Sequence, residues 1–360
     1  MAAQNRFYNT LKSRTSVFDA SEIAAQFSSV DEKRVSNLAG TISDYVRANV
    51  PRAFDSRESF SDYRTNPYVL MTSASVVNLN EPERFANFLF NTKLYMGLET
   101  SYGKSIESVF LNHYPINSEA KWDEPPEKIA EARSIKGLSR EEKAKRRRTS
   151  VWREIDKSFV HLNRRYLVSI KSGPNTINDT QVQGMTDAII NNYQVWLGQS
   201  KENNKSVDSL DVVIGLTYGT DKTTNNKENQ ILAKLLDAGF VEEDRARYPG
   251  VLIDGDHRSV RVYRVIGKDF WAFIGNPQNP TETHYVFLEV LLGLAKGLSN
   301  AFEEEHIEDR INAKIDQLIS ALMRLKFPRD CLPDWIEKEF KEEDLFYFAT
   351  AMSAFFDEGI

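Results

Sequence analysis

Cysteine occurs once in the 360 residues, as Cys331, so no disulfide can close within the chain. Histidine is scarce as well, five in all and scattered, and no CxxC pair exists to anchor a zinc site. No apolar run approaches the roughly 18 residues of a membrane span. The N-terminal stretch MAAQNRFYNTLKSRTS is polar and unlike a secretory signal. A lone thiol without a secretory signal sets the expectation of a reducing, cytoplasmic environment. With 41% hydrophobic and 27% charged residues, wholesale disorder is excluded.

Net charge is low and negative, -6, which at whole-chain scale argues against nucleic acid as a partner. The local pattern says otherwise. From Arg133 to Lys171 there are 13 Lys/Arg and 4 Asp/Glu, a net of +9. From Ala301 to Ile360 there are 7 Lys/Arg and 15 Asp/Glu, a net of -8. A basic middle and an acidic tail cancel in the sum.

Helical apolar spacing predicts helices over 20–27 and 35–48, the second stopped by Pro51. Residues 84–114 read as one long helix or two, with Gly97 and Gly103 as breaks and Pro115 as the end. The polar stretch 117–150, which includes REEKAKRRR, reads as an exposed helix or arm. From Trp152 the period becomes extended. Runs 155–162 and 166–172, separated by Asn163-Arg164-Arg165, predict a hairpin. Asn178-Asp179-Thr180 caps a helix through Trp196, LDVVIGLT over 210–217 reads as a buried strand, 225–238 as a helix, and 259–266 as a further strand. From Tyr285 the pattern is helical. The expected class is α/β, mixed α+β: a central mixed β-sheet flanked by helices, with helical N- and C-terminal parts. Three regions are expected: a helical 1–80, a core over 81–290, and an acidic helical 291–360 suited to oligomerisation. All three can belong to one compact domain.

The chemistry sits in the hairpin. Asp156 is expected on its first strand and Ser169-Ile170-Lys171 on its second. Residues two apart on a strand face the same side, so Ser169 and Lys171 project together. Strand pairing can bring Asp156 beside them. A carboxylate, a hydroxyl and a lysine at one strand end, within a stretch of +9, suit metal-assisted phosphodiester hydrolysis. The carboxylate would hold Mg²⁺ with several of its waters. The lysine would act on the attacking water and the phosphate.

Asp156 followed by Ser169-Ile170-Lys171 resembles the D-x(n)-(D/E)-x-K signature of the PD-(D/E)xK nuclease superfamily, and in particular its Type II restriction endonucleases. Gly103-Lys104-Ser105-Ile106-Glu107 is similar to the G-x-x-x-E that supplies an additional acid from a preceding helix. SIKSGPNTINDTQ with the helix after it, and GKDFWAFIGNP (267–277), also resemble restriction-enzyme segments. The resemblance spans about 95–290. It implies a restriction-endonuclease-like fold in a bacterial cytoplasm. It further implies Mg²⁺-dependent cleavage of double-stranded DNA at a short specific sequence, leaving 5′-phosphate ends.

The resemblance also implies a homodimer on a palindromic site and a cognate DNA methyltransferase in the same system, without binding between the two. It makes Asp156, Ser169, Lys171 and Glu107 the catalytic set, with Asp156 and Glu107 as metal ligands. The middle acid of the signature is Ser169 here, a departure. Some enzymes with S-x-K recruit a carboxylate from the following helix, where Asp179 and Asp187 stand; Glu107, or Glu99 on its face, can instead compensate. Glu107 is preferred and Asp187 is second. DNA contacts are expected from Arg146, Arg147, Arg148, Asn175, Asn178 and Gln183.

The plain alternatives are an exposed cross-strand ion pair for Asp156 and Lys171, a surface acid for Glu107, and a solvated helix face for 143–148. At the level of function they are a repair or structure-specific nuclease with the same core, or a non-catalytic DNA-binding protein. GLTYGTDKT (215–223) lacks the Lys placement of a phosphate loop. Cys331 has no adjacent base to make it a nucleophile.

Overall fold

Two short extended runs and a two-residue turn build the element that positions the site. In a computed structural model, β1 (Lys157–His161) pairs antiparallel with β2 (Arg164–Lys171), Lys157 opposite Val168 and His161 opposite Arg164. The turn is Leu162-Asn163, with Leu162 in the left-handed region at φ 52; the expected Arg164 and Arg165 already belong to β2. Structure is described for residues 20–55, 63, 66–77, 79, 81–108, 110–173, 176–243, 247–255, 258–304, 306–324, 332–352 and 355. Asn175 and Cys331 lie outside the described residues.

In chain order the helices are α1 (Ala20–Phe27), α2 (Glu32–Asp55), α3 (Pro67–Val77), α4 (Pro82–Ser108), α5 (Pro126–Ser134), α6 (Arg140–Thr149), α7 (Asp179–Asn203) and α8 (Lys227–Asp237). They continue as α9 (Lys268–Gly275), α10 (Val286–Glu304), α11 (Ile307–Leu322), α12 (Asp334–Glu339) and α13 (Glu342–Met352). The remaining strands are β3 (Ser209–Leu216), β4 (Val241–Glu242), β5 (Gly250–Gly255) and β6 (Arg258–Ile266). Helix α2 runs through Pro51, which was expected to stop it: a proline removes one donor but still adopts helical φ. Residues 84–114 give one helix, α4, whose Gly97 and Gly103 do not interrupt it, then a 3₁₀ turn Phe110–His113. Strands β4 and β5 were not anticipated.

The chain divides into two units, residues 1–38 with 107–293 and residues 39–106 with 294–360. The first holds a six-stranded mixed sheet of order β1-β2-β3-β6-β5-β4. β2, β3 and β6 are parallel, and β1 and β5 pair antiparallel with their neighbours. Parallel central strands must be covered on both faces. Leu167, Val212, Ile214 and Val262 pack with Val182 and Ile189 of α7 and Ile231 and Leu235 of α8 in one buried cluster. On the other face Trp122 meets Phe159 at 5.3 Å and Phe273 at 5.7 Å, and its Nε1 donates to the Ile274 carbonyl at 2.9 Å. This fixes the hairpin against α9. The second unit is helical, with Phe85 edge-on to Phe346 at 5.5 Å and Tyr63 against Phe90 at 6.4 Å. Among the described residues, no helix is long and apolar enough to cross a membrane.

Candidate active site

Asp156 stands one residue before β1, a correction to its expected place on the strand. Its N–H donates to the Val168 carbonyl at 2.8 Å, and its Oδ2 accepts from the Ile170 N–H at 2.7 Å. The carboxylate is thereby pinned to the end of β2 and half-buried. N–H and C=O of one strand residue point the same way, so the Ile170 carbonyl is directed to the same edge. Lys171 closes β2 two residues after Ser169, on the same face.

The last turn of α4 brings Glu107, half-buried, into this neighbourhood. Burial, and next the Asp156 charge, push Glu107 up to about 7, with Lys171, Lys128 and Lys157 acting against the rise. Burial likewise raises Asp156 above the ordinary carboxylate range, opposed first by Lys171 and then by the Ile170 N–H. Asp156, Glu107 and Lys171 therefore feel one another's charge. Among the described residues, none of the three is in an ion pair within 4 Å, and Lys171 Nζ makes no hydrogen bond. Two carboxylates whose charges repel beside several lysines, with burial raising both, form the kind of perturbed cluster found at functional sites.

Three neighbours went unrecognised in the sequence. Lys128 of α5 donates to the Ile155 carbonyl at 2.7 Å, bracing the residue before Asp156. Its helix is anchored by Glu127, which takes two hydrogen bonds from buried Arg165 at 2.7 and 2.8 Å. Lys157 is only 4% exposed, and burial lowers its pKa against the pull of Asp123, Glu124 and Glu107. Glu154, two residues before Asp156, adds to that residue's rise. A lysine at the start of a β-run or inside an ordinary amphipathic helix gives no local signal. Only the fold brings them here.

The Ser169 side chain is 0% exposed, and its Oγ has no hydrogen-bond partner among the described residues. A buried hydroxyl without a partner costs about 1–3 kcal/mol. Ser169→Ala is therefore expected to leave the urea unfolding free energy unchanged or raise it by up to about 1 kcal/mol. A clear loss in that titration would show that the hydroxyl has a partner.

Asp187 is exposed, accepts from Gln183 Nε2 at 2.7 Å, and lines a hollow of about 210 Å³ with Arg148, Arg153 and Glu154. Asp179 is exposed and paired with Lys227. Asn178 caps α7, its Oδ1 accepting from the Gln181 N–H at 2.9 Å, and Gln183 also takes the Lys234 ammonium at 2.6 Å. Arg146, Arg147 and Arg148 form the last turn of α6, exposed, where cations suit the helix C-terminus. A Ser139–Glu142 capping box starts that helix.

The geometry now meets a relative. Residues 140–291 match the family model of the Type II restriction endonuclease EcoO109I. Over those residues the chain is similar to that Type II restriction endonuclease family. The match encloses the sheet, Asp156, Ser169 and Lys171; Glu107 lies before it. No curated protein matches the chain.

The groups gathered at this strand end are donors of the kind a hard cation takes. Two carboxylates and a main-chain carbonyl suit Mg²⁺, which keeps several waters and needs only one or two protein carboxylates. Among the described residues no group of three or more His, Cys, Asp or Glu gathers into a closed metal cage.

Proposed function

We propose that the protein is a Mg²⁺-dependent endonuclease that cuts double-stranded DNA at a short specific sequence and leaves 5′-phosphate ends. Asp156 and Glu107 would hold the ion, Glu107 standing in for the acid absent at Ser169. Bound there, the ion supplies an activated water and offsets charge on the scissile phosphate. Asp156, tied to the Ile170 N–H, keeps a fixed orientation through turnover. Lys171, without a neutralising partner, holds the water and the phosphate oxygen in line, takes up the developing negative charge, and can pass a proton. Arg146, Arg147 and Arg148 provide backbone contacts with no base information.

The observation that supports this reading is that Asp156, Glu107 and Lys171 share one electrostatic neighbourhood at a strand end, with neither carboxylate in an ion pair within 4 Å among the described residues. A palindromic site calls for two copies related by a two-fold axis. Exposed Met323, Trp335 and Phe340 give the 291–360 region an apolar surface that a second copy would cover. We place the enzyme in the bacterial cytoplasm, alongside a methyltransferase that protects the host sequence.

Unmethylated plasmid and phage DNA incubated with the protein and Mg²⁺ is expected to give discrete fragments, and EDTA to abolish them. Random nicking would point to a repair-type nuclease. Intact DNA across varied substrates, or cutting that survives EDTA, overturns the proposal.

A further inference from the structure

The opposite end of the same strands carries a second concave site. A cavity of about 450 Å³ opens where β2, β3 and β6 begin, beside the loop before β5. Its wall residue Arg164 opens β2, seven residues from Lys171, or ~23 Å at the rise of a strand. The size suits a small organic ligand. Three arginines line it, and their charges are unequally balanced. Arg164 is paired with buried Asp211 at 2.8 Å, and Arg261 with Glu243 at 3.1 Å. Arg247 lines the same cavity and is in no ion pair within 4 Å among the described residues. One cation is therefore left over. Arg261 Nε is also buried without a hydrogen-bond partner, a donor whose desolvation is unrecovered until an acceptor arrives. Guanidinium donors in this state match a phosphate.

The remaining wall is aromatic. Tyr248 and Tyr263 stack at 5.8 Å with 18° between their planes, and Arg247 sits 5.9 Å over the Tyr248 ring. Tyr166 forms another side. Burial pushes the Tyr166 and Tyr248 phenols up to about 12, so both stay protonated and can donate at neutral pH. Asp211 and Glu243 also line the cavity; beyond the bonds from their arginines, and from the Tyr263 hydroxyl to Asp211 at 3.1 Å, each carboxylate retains acceptor capacity of the kind an exocyclic amine selects. A surplus guanidinium, flat ring faces and carboxylates, of which Asp211 is buried, together describe a ligand with a phosphate at one end and an amino-bearing base at the other.

We propose that this cavity binds a nucleoside monophosphate unit, phosphate against Arg247 and Arg261 and base among the tyrosines, as a site separate from the cleavage centre. It stands whatever the central site cleaves. The phosphate can arrive on a free nucleotide or within DNA, and the test separates the two.

Isothermal titration with EDTA present, on the full-length Lys171→Ala protein, would use dCMP, inorganic phosphate and a short duplex as probes. Binding of dCMP is expected to be about 10-fold or more tighter than that of inorganic phosphate, and Arg247→Gln to weaken it by about the same factor. Tyr248→Leu should weaken dCMP and leave phosphate unaffected, while unchanged thermal midpoints would show that both variants fold. No heat with millimolar dCMP, equal affinity for dCMP and phosphate, or affinity untouched by Arg247→Gln would each overturn the assignment. An Arg247→Gln effect seen with the duplex alone would overturn it too, in favour of a DNA-backbone contact.

Discussion

Replacing Lys171 by alanine is expected to slow single-turnover DNA cleavage by about 10³-fold, some 4 kcal/mol of barrier. The effect should be large because the ammonium stands at the end of β2 with no ion pair and no hydrogen bond among the described residues. None of its charge is committed to holding the fold. The same reasoning predicts that the unfolding free energy moves by less than about 1 kcal/mol. DNA affinity measured without cleavage should fall only modestly, since one cation among many phosphate contacts contributes little to total binding. Loss confined to the chemical step separates a catalytic lysine from a structural one. A variant cutting within tenfold of the wild type would remove Lys171 from the site.

Much of that centre was legible because the hairpin is local. Fifteen residues join Asp156 to Lys171, and period-two alternation fixes which of them share a face. Arg165 shows where legibility ends. In the sequence it belongs to a basic turn, yet the structure buries it against Glu127 and 5.2 Å over the Trp152 ring, and so sets α5 and Lys128 beside Ile155. Such a pairing is long-range and leaves no periodic trace. Strands β4 and β5 were hidden for another reason. Pro249-Gly250 and Asp254-Gly255 read as turn residues, but Gly250 begins a strand where an added Cβ would lie 2.7 Å from the Val262 carbonyl. Close backbone approach, rather than a turn, accounts for that glycine. Spacing alone placed Asp187 on α7, and its Gln183 partner and the hollow it shares with Arg148 and Glu154 became visible only in the fold. Whole-chain charge proved the least informative scale of all.

Glu107 carries the other large expected effect, and it runs in two directions. Its carboxyl titrates near 7 in the folded protein against 4.5 for an ordinary glutamate, mainly through burial. The folded state then binds more protons than the unfolded state between those two values, so stability falls as pH rises through that window. Below about 4.5 the acid is protonated in both states and costs nothing. Above about 7 the full cost is present. The interval is worth ~3 kcal/mol at most, and because the group is half exposed, screening reduces it to about 1–2 kcal/mol. Glu107→Gln should therefore raise metal-free stability by that amount at pH 8 and leave it unchanged at pH 4. Cleavage in Mg²⁺ should meanwhile fall by about 10²-fold or more, and the rise in thermal midpoint that Mg²⁺ gives the wild type at pH 8 should shrink. A carboxylate kept only for structure would show the reverse, a loss of stability and little change in the metal response. Thermal melts of both proteins at the two pH values, with and without Mg²⁺, would tell the cases apart: a less stable variant at pH 8, or an undiminished Mg²⁺ shift, would remove Glu107 from the ligand set.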